Sequence, residues 1–363
     1  MGDDAPRAMQ NLLTVAALII VLAAVRAAAE IVLPILVAAF LAVIFSAPIS
    51  WLRARRVPRW LADLLVVGSL VLVVFGLGLF VSQSVTEFTE KLPAYQAALT
   101  DLAVDLTAFA ERFGVEAAGE TLRAQLDPGM ALELAGVILS GFGNLVVYGT
   151  LVLLIVGFML AERAGLRRKL NAMRKIPQGD LQHLFRSIET VNRYMAIKTL
   201  ISVNTGIAAG LLTALIGVDF PLLWGVLAFL LNYIPNIGSI LAGTPPVLLA
   251  LAQLGPAPAL GVAAGYLALN VTMGGIIEPR YMGRGLGLSP LVVLLSVVFW
   301  GWLLGPVGAL LSVPMTMMAK MACEASPRTV WLTVLLGPNP SADPPAEAPA
   351  HGEPPSGPSP SAG

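Results

Sequence analysis

Apolar positions along the chain fall into runs of near-bilayer length, separated by short charged stretches. Residues 12–25 form a first run and 31–50 a second, with only Arg26 and Glu30 between them, which predicts a tight helical hairpin. Further runs cover 61–82, 134–160 and about 199–217. A helix needs about 20 apolar residues to cross hydrocarbon, and these runs meet that length. Between the third and fourth runs the pattern changes. Val85, Phe88, Leu92, Tyr95, Leu99, Leu102, Leu106, Phe109 and Phe113 recur at alternating steps of three and four, an a/d seam. It predicts a helix of about 43 Å at 1.5 Å per residue. A stripe this regular must be covered, either by the same chain or by a second subunit, and the sequence favours the subunit contact.

Composition sharpens this picture. The 363 residues are 57% apolar and 12% charged, about half the charge of a soluble domain, with 22 basic and 22 acidic side chains. Zero net charge without a basic face argues against nucleic acid as a partner. A lone Cys323 and two histidines leave no disulfide framework and no metal cluster, so no cofactor is expected. Arg53, Arg55, Arg56 and Arg59 follow the second run. Nine basic residues from Arg163 to Lys198 follow the fourth, against Glu162, Asp180 and Glu189. Residues 85–133 reverse the balance, with nine acidic side chains against Lys91, Arg112 and Arg123. Positive loops stay cytoplasmic. Both basic loops and the N-terminus are therefore expected inside, the acidic segment outside. The thin basic flank at the N-terminus argues against the competing reading of the first run as a cleaved signal.

The expected fold is all-α and polytopic, with about eight spans. Residues 1–84 hold three spans and the basic loop 51–60. Residues 85–130 form the outer helical segment, 131–160 the fourth span, and 161–198 a basic segment with an amphipathic helix (Leu181, Leu184, Phe185, Ile188, Val191, Met195) lying in the membrane interface. Residues 199–323 are the transport core, and 324–363 a cytoplasmic end whose Pro-rich tail, from Gly337 on, is expected to be disordered.

Function is expected in the core, where residues 199–319 carry only Asp219, Glu278, Arg280 and Arg284 as charged side chains. Two apolar segments there, 222–254 and 290–320, are each broken by glycine and proline. Aligning Gly238 with Gly308 places Pro245 and Pro314 seven and six residues on, a weak internal repeat. Charge parity fits re-entrant hairpins entering from opposite faces, an inverted repeat. Non-helical backbone at membrane depth must line protein or a polar cavity, and paired interrupted segments point to a transporter's binding site.

The stretches NYIPNIGSILAGTPPVLLAL, GGIIEPRYMGRGLGLSPLVVLL and GPVGALLSVP resemble the signature of the autoinducer-2 exporter family of bacterial membrane transporters, and the likeness covers nearly the whole chain. The resemblance implies a homo-oligomer, a pentamer, in the inner membrane, exporting the furanone autoinducer-2 or exchanging cations for protons. Asn236 and Ser289 depart from the residues more usual in the family, which bears on substrate preference.

The substrate-path candidates are Asn232, Asn236, Gly238, Ser239 and Thr244 in the first break, Asn270 on the following span, and Gly305, Gly308 and Ser312 in the second break. Half-helix ends there offer free N–H and C=O groups to a small polar solute. Glu278 is read either as a proton or cation relay or as a carboxylate clamped by Arg280 or Arg284. Asn270, eight residues earlier, would share its helix face or serve as an interhelical strut. Asp219 reads as an outer helix cap, and Phe299, Trp300 and Trp302 as packing or gating aromatics. Phe88, Leu92, Tyr95, Leu99, Leu102, Leu106 and Phe109 are the candidate oligomer contact. No phosphate-binding GxxxxGK[ST] loop is present, which excludes that kind of ATP-driven pump, and no nucleophile–base set suggests an enzyme. The expected activity is proton-coupled export of a small polar solute. Na⁺(Li⁺)/H⁺ antiport at the same site, or a non-transporting oligomeric scaffold, are the alternatives.

Overall fold

A computed structural model describes residues 4–112, 149–162, 178–282, 287–324 and 329–337. The outer segment beyond 112, most of the basic segment 161–177, Arg284 and the Pro-rich tail lie outside the described residues. What is described is helical throughout, and six of its helices are long and apolar enough to cross a membrane. Helices α1 (Asp4–Ala27) and α2 (Ala29–Ala54) form the expected close-set pair.

Helix α3 runs without a break from Arg59 to Arg112. At 1.5 Å per residue its 54 residues span about 81 Å, so the third span and the outer seam are one rod. Nothing between 82 and 85 interrupts helical hydrogen bonding. Helix α4 (Gly149–Glu162) packs Val152, Leu153 and Val156 with Ala38 of α2 and Val66 and Leu70 of α3. Arg53 and Asp63 tie the α2–α3 turn at 2.8 Å.

Helix α5 (Gln178–Ile216) is the central element. The amphipathic stretch expected in the membrane interface is its N-terminal part. Val191 and Met195 are buried in a cluster with Phe40, Leu311, Val313 and Met317, so this part of the apolar face meets protein rather than lipid headgroups. Beyond it come α6 (Pro221–Leu231), α7 (Ile237–Leu254) and α8 (Pro256–Leu269). A π-helix (Asn270–Ile277) and α9 (Glu278–Met282) continue α8. Helices α10 (Pro290–Leu310), α11 (Ser312–Glu324) and α12 (Val330–Leu336) complete the chain.

Both broken segments fold back on themselves. In the first, Asp219 at the start of one arm donates its backbone N–H to the Gln253 side chain at the end of the other, 3.1 Å away. In the second, the Lys320 ammonium donates to the Gly287 carbonyl at 2.6 Å, and the Trp300 indole to the Thr316 hydroxyl at 2.9 Å. The turns lie at 232–236, where Asn236 takes a left-handed φ of 61°, and at Gly305, with φ 71°. Just past each turn a glycine is pressed against the first arm. A Cβ on Gly238 would collide with the Leu231 carbonyl, and one on Gly308 with the Trp300 carbonyl. Pro245 and Pro314, the other aligned pair, are both buried.

The two hairpins draw on opposite halves of α5. Leu288, Val313 and Met317 of the second join the cluster containing Val191, Tyr194 and Met195. The first packs its arms along 206–210, where a Cβ on Gly206 would lie 2.7 Å from the Gly225 carbonyl oxygen. Its base, with Val218, Leu223, Trp224 and Leu249, closes over Phe88, Tyr95 and Leu99 of α3. This corrects the reading of Phe88, Leu92, Tyr95 and Leu99 as an oligomer contact: the same chain covers that half of the seam. The Phe88 ring, 1% exposed, meets Tyr95, Phe220 and Trp224 at centroid distances of 6.0–6.5 Å. The side chains of Leu102, Leu106 and Phe109 lie outside the described ones.

Candidate functional site

At the tip of the first hairpin the broken backbone, α5 and the α8–π-helix junction leave a small cleft of about 20 Å³, room for about one water. Its lining comes from every surrounding element. Thr205 and Ala209 stand on α5, Ala228 and Asn232 on the first arm, Ser239 and Ala242 on the second. Tyr266 and Leu269 come from α8, and Asn270, Met273 and Gly274 from the π-helix. The small residues let the helices approach; the polar ones face the space they leave. No lining side chain is charged.

Local sequence explains the polar groups. The α6 helix stops at Asn232 because Pro235 cannot continue it. Asn232 is then held by its amide, which donates to the Ser202 hydroxyl at 2.9 Å, while the Tyr233 hydroxyl donates to Thr199 at 2.8 Å. The Ser239 hydroxyl turns back to the Asn236 carbonyl at 3.2 Å, and Thr205 to Ile201 at 2.9 Å. After Leu269 the ladder widens to i→i+5 over eight residues, an uncommon form that concentrates at functional sites. The Thr272 hydroxyl bonds the Ala268 carbonyl at 2.7 Å and competes there with the backbone amide.

Three of the sequence-derived path residues, Asn232, Ser239 and Asn270, thus meet at one cleft, and the turn residues Asn236 and Gly238 shape it without lining it. Thr244 does not reach it: its exposed hydroxyl bonds its own helix at Ile240. Gly305, Gly308 and Ser312 belong to the second hairpin and are not brought to this cleft. Ser312 is fully buried there with an unpaired hydroxyl. Nor does Glu278 share a face with Asn270 at α-helical spacing, because the intervening turns are π.

Glu278 has a different partner from those expected. The Lys198 ammonium, 3% exposed, donates to both carboxylate oxygens at 2.7 and 2.8 Å. Arg280 is exposed. The pair joins α5 to the base of the π-helix. In the sequence Lys198 is simply the last cation of a basic run.

A second polar knot closes the first hairpin's base. The Asp219 carboxylate accepts from the Lys91 ammonium and the Tyr95 hydroxyl, each at 3.0 Å, and the Gln253 amide donates to Tyr95 at 3.1 Å. The Trp224 indole donates to the Asp219 carbonyl at 2.7 Å. Burial alone would raise the Asp219 carboxyl, but these donors outweigh it and hold it below the usual carboxylate range. Asp219 is therefore a strut between α3 and the hairpin rather than a simple cap. Arg26 lies 4.9 Å over Trp302 and so ties the second hairpin to α1, while Phe299 and Trp300 meet edge to face at 5.0 Å within their own helix.

Thr205, Tyr266 and Gly274 are among the cleft residues that sequence reasoning does not single out. Tyr266 stands four residues before Asn270, one helical turn away, and that spacing was the available signal.

Comparisons with known proteins agree with this architecture. The profile described as AI-2E family transporter matches residues 14–328. A putative transport protein of Haemophilus influenzae is 41% identical over 334 residues, covering 90% of this chain and 96% of its own. The AI-2 transport protein TqsA of Escherichia coli K12 is 41% identical over 319 residues, covering 88% and 93%. YhhT of the same organism, a putative transport protein, is 35% identical over 330 residues, covering 91% and 95%. A match of this extent, over the hairpins, the cleft and the helices that hold them, places the chain in the AI-2E family of membrane transporters.

Proposed function

We propose that this transporter exports a small, neutral, oxygen-rich solute, autoinducer-2 or a relative, through the cleft at the tip of the first hairpin. The observation that carries this is the lining: hydroxyls and amides from five elements around a space free of charged side chains. Such a set suits a solute with hydroxyl and carbonyl groups. Glu278, the nearby carboxylate, is held by Lys198 outside the cleft, so the cleft offers a Na⁺ or Li⁺ ion no carboxylate ligand. A cleft this small represents a closed state, and the solute enters when a hairpin moves. The bases of the two hairpins, at opposite halves of α5, support re-entrant insertion from opposite membrane faces.

Coupling to the proton gradient is part of the same proposal. A proton that reaches Glu278 neutralises the carboxylate that Lys198 holds, and frees the π-helix base from α5. Inner-membrane location with cytoplasmic termini follows from the basic loops, and a homo-oligomer from the family resemblance.

Proteoliposomes loaded with autoinducer-2 and given a pH gradient test both parts. Asn232→Ala is expected to reduce efflux at least several-fold, and Glu278→Gln to leave efflux that no longer responds to the gradient. Wild-type vesicles that retain autoinducer-2 but move protons when Na⁺ is added would establish antiport instead.

A further inference from the structure

Most of the cleft's polar groups already have partners. The Asn232 amide donates to Ser202, the Thr205 hydroxyl to Ile201, and the Ser239 hydroxyl to Asn236. Tyr266 is different. Its ring lies in a slot of small residues, packed against Ala209, Ala228 and Ala242, and beside Gly243, where an added Cβ would lie 3.1 Å from the ring. At the end of that ring the hydroxyl is buried and has no hydrogen-bond partner.

An unpaired buried hydroxyl costs free energy that a phenylalanine in the same slot would not. The cost is heavier at membrane depth, where lipid offers no partner. The slot explains the ring, because alanines and a glycine from three helices fit a flat side chain. It does not explain the oxygen. A group that the closed structure leaves unsatisfied, beside a cleft of polar groups, is available to a ligand.

We infer that Tyr266 is a specificity-determining residue of the transport site, its hydroxyl donating a hydrogen bond to an oxygen of the solute. This inference rests on the cleft being the solute's route. It adds that the recognised solute carries an acceptor oxygen, as a hydroxyl, ether or carbonyl. A solute that lacks one leaves the hydroxyl as unsatisfied as the closed state does, and is discriminated against on that ground.

The experiment compares the purified wild-type protein with Tyr266→Phe in two ways. Binding of autoinducer-2, ribose and glycerol is titrated by calorimetry, and the melting temperature is measured without any solute. Losing a neutral hydrogen bond should weaken binding of the recognised solute about two- to tenfold. The melting temperature should stay level or rise, since the variant deletes a hydroxyl that the resting fold does not use. Unchanged affinity in Tyr266→Phe overturns the inference while leaving the cleft as the route. A lowered melting temperature overturns it too, because the hydroxyl then serves the fold. If wild type ignores autoinducer-2 but binds ribose or glycerol in a Tyr266-dependent way, the inference stands and the autoinducer-2 reading falls. If it binds none of the three, both fall. Tyr266→Trp serves as a check on the slot: it should lower the melting temperature, because the larger ring overfills the space between the alanines.

Discussion

The two hairpins of this transporter share a skeleton and differ in what they enclose. Each turns back near its middle, each ties its base with a cross-arm hydrogen bond, and each presses a glycine just past the turn onto a carbonyl of the first arm. The first then opens a polar cleft against α5 and α8. The second buries Val313, Met317 and Leu311 in an apolar cluster, and its polar residue nearest the break, Ser312, is enclosed. One backbone solution thus serves two purposes. The glycines make the fold-back possible in both, and only the residues around the tip decide whether it forms a site.

The largest effect should come from the lysines that lie beside the two hairpins. Lys198 is nearly inaccessible and pairs with a carboxylate that is itself mostly covered. Lys198→Met strands Glu278 and should cost about 3–5 kcal/mol of stability, as breaking a buried pair does. Removing both charges in Lys198→Met/Glu278→Gln should recover most of it. Lys320 is more open, donates to a carbonyl, and stands 3.9 Å from Glu324. Lys320→Met should therefore cost about 0.5–1.5 kcal/mol, the worth of an ordinary hydrogen bond. Detergent melting curves of the three variants decide the matter. Equal losses for the two single variants would mean that the Lys198 pair is no more than a surface tie.

Next in size are the paired glycines. Gly238→Ala and Gly308→Ala each put a methyl group onto a carbonyl that cannot yield without moving an arm. Overpacking of this kind costs about 1–3 kcal/mol. The two substitutions should be similar in stability and different in function, with only Gly238→Ala, beside the cleft, also depressing autoinducer-2 efflux from vesicles. A benign Gly308→Ala would show that the repeat is one of sequence spacing alone.

How much of this was legible beforehand follows from the range of each interaction. The breaks at 232–236 and 305, and the gathering of Asn232, Ser239 and Asn270, were readable because glycine, proline and amide side chains announce local backbone needs. Lys198 was not, because its partner is 80 residues away and its neighbours in sequence are surface cations. The seam of α3 was found correctly as a stripe but assigned to another subunit. Periodicity shows that a face is covered, and it is silent on what covers it; here Trp224 and Leu223, more than a hundred positions on, cover Phe88. The π-helix was not legible for a related reason: residues 270–277, with Asn270, Thr272 and two glycines among apolar neighbours, suit an ordinary membrane helix equally well.

The smallest expected effect separates the hairpins by pH. The first is tied at its base by Asp219, whose carboxyl is held low by Lys91, Tyr95 and Gln253 against the opposing pull of burial. A folded pKa below the unfolded one adds stability that is present above the ordinary carboxylate range and lost as the pH falls through the folded value. The side chain is 40% exposed, so solvent screens the pair and the contribution should be well under about 1 kcal/mol. The second hairpin's base is tied by Lys320 to a backbone carbonyl, which does not titrate. Amide exchange near Gln253 should therefore accelerate in wild type between pH 5 and pH 3, relative to Asp219→Asn at the same pH, in which the region is already loosened. Amides near Lys320 should exchange alike in the two proteins at each pH. Such a difference, confined to one hairpin, would show that its base opens independently of the other's, as a gate must. If amides near Gln253 also exchange alike in wild type and variant, then Asp219 is a surface ornament and the first hairpin is held by Phe88 and Trp224 alone.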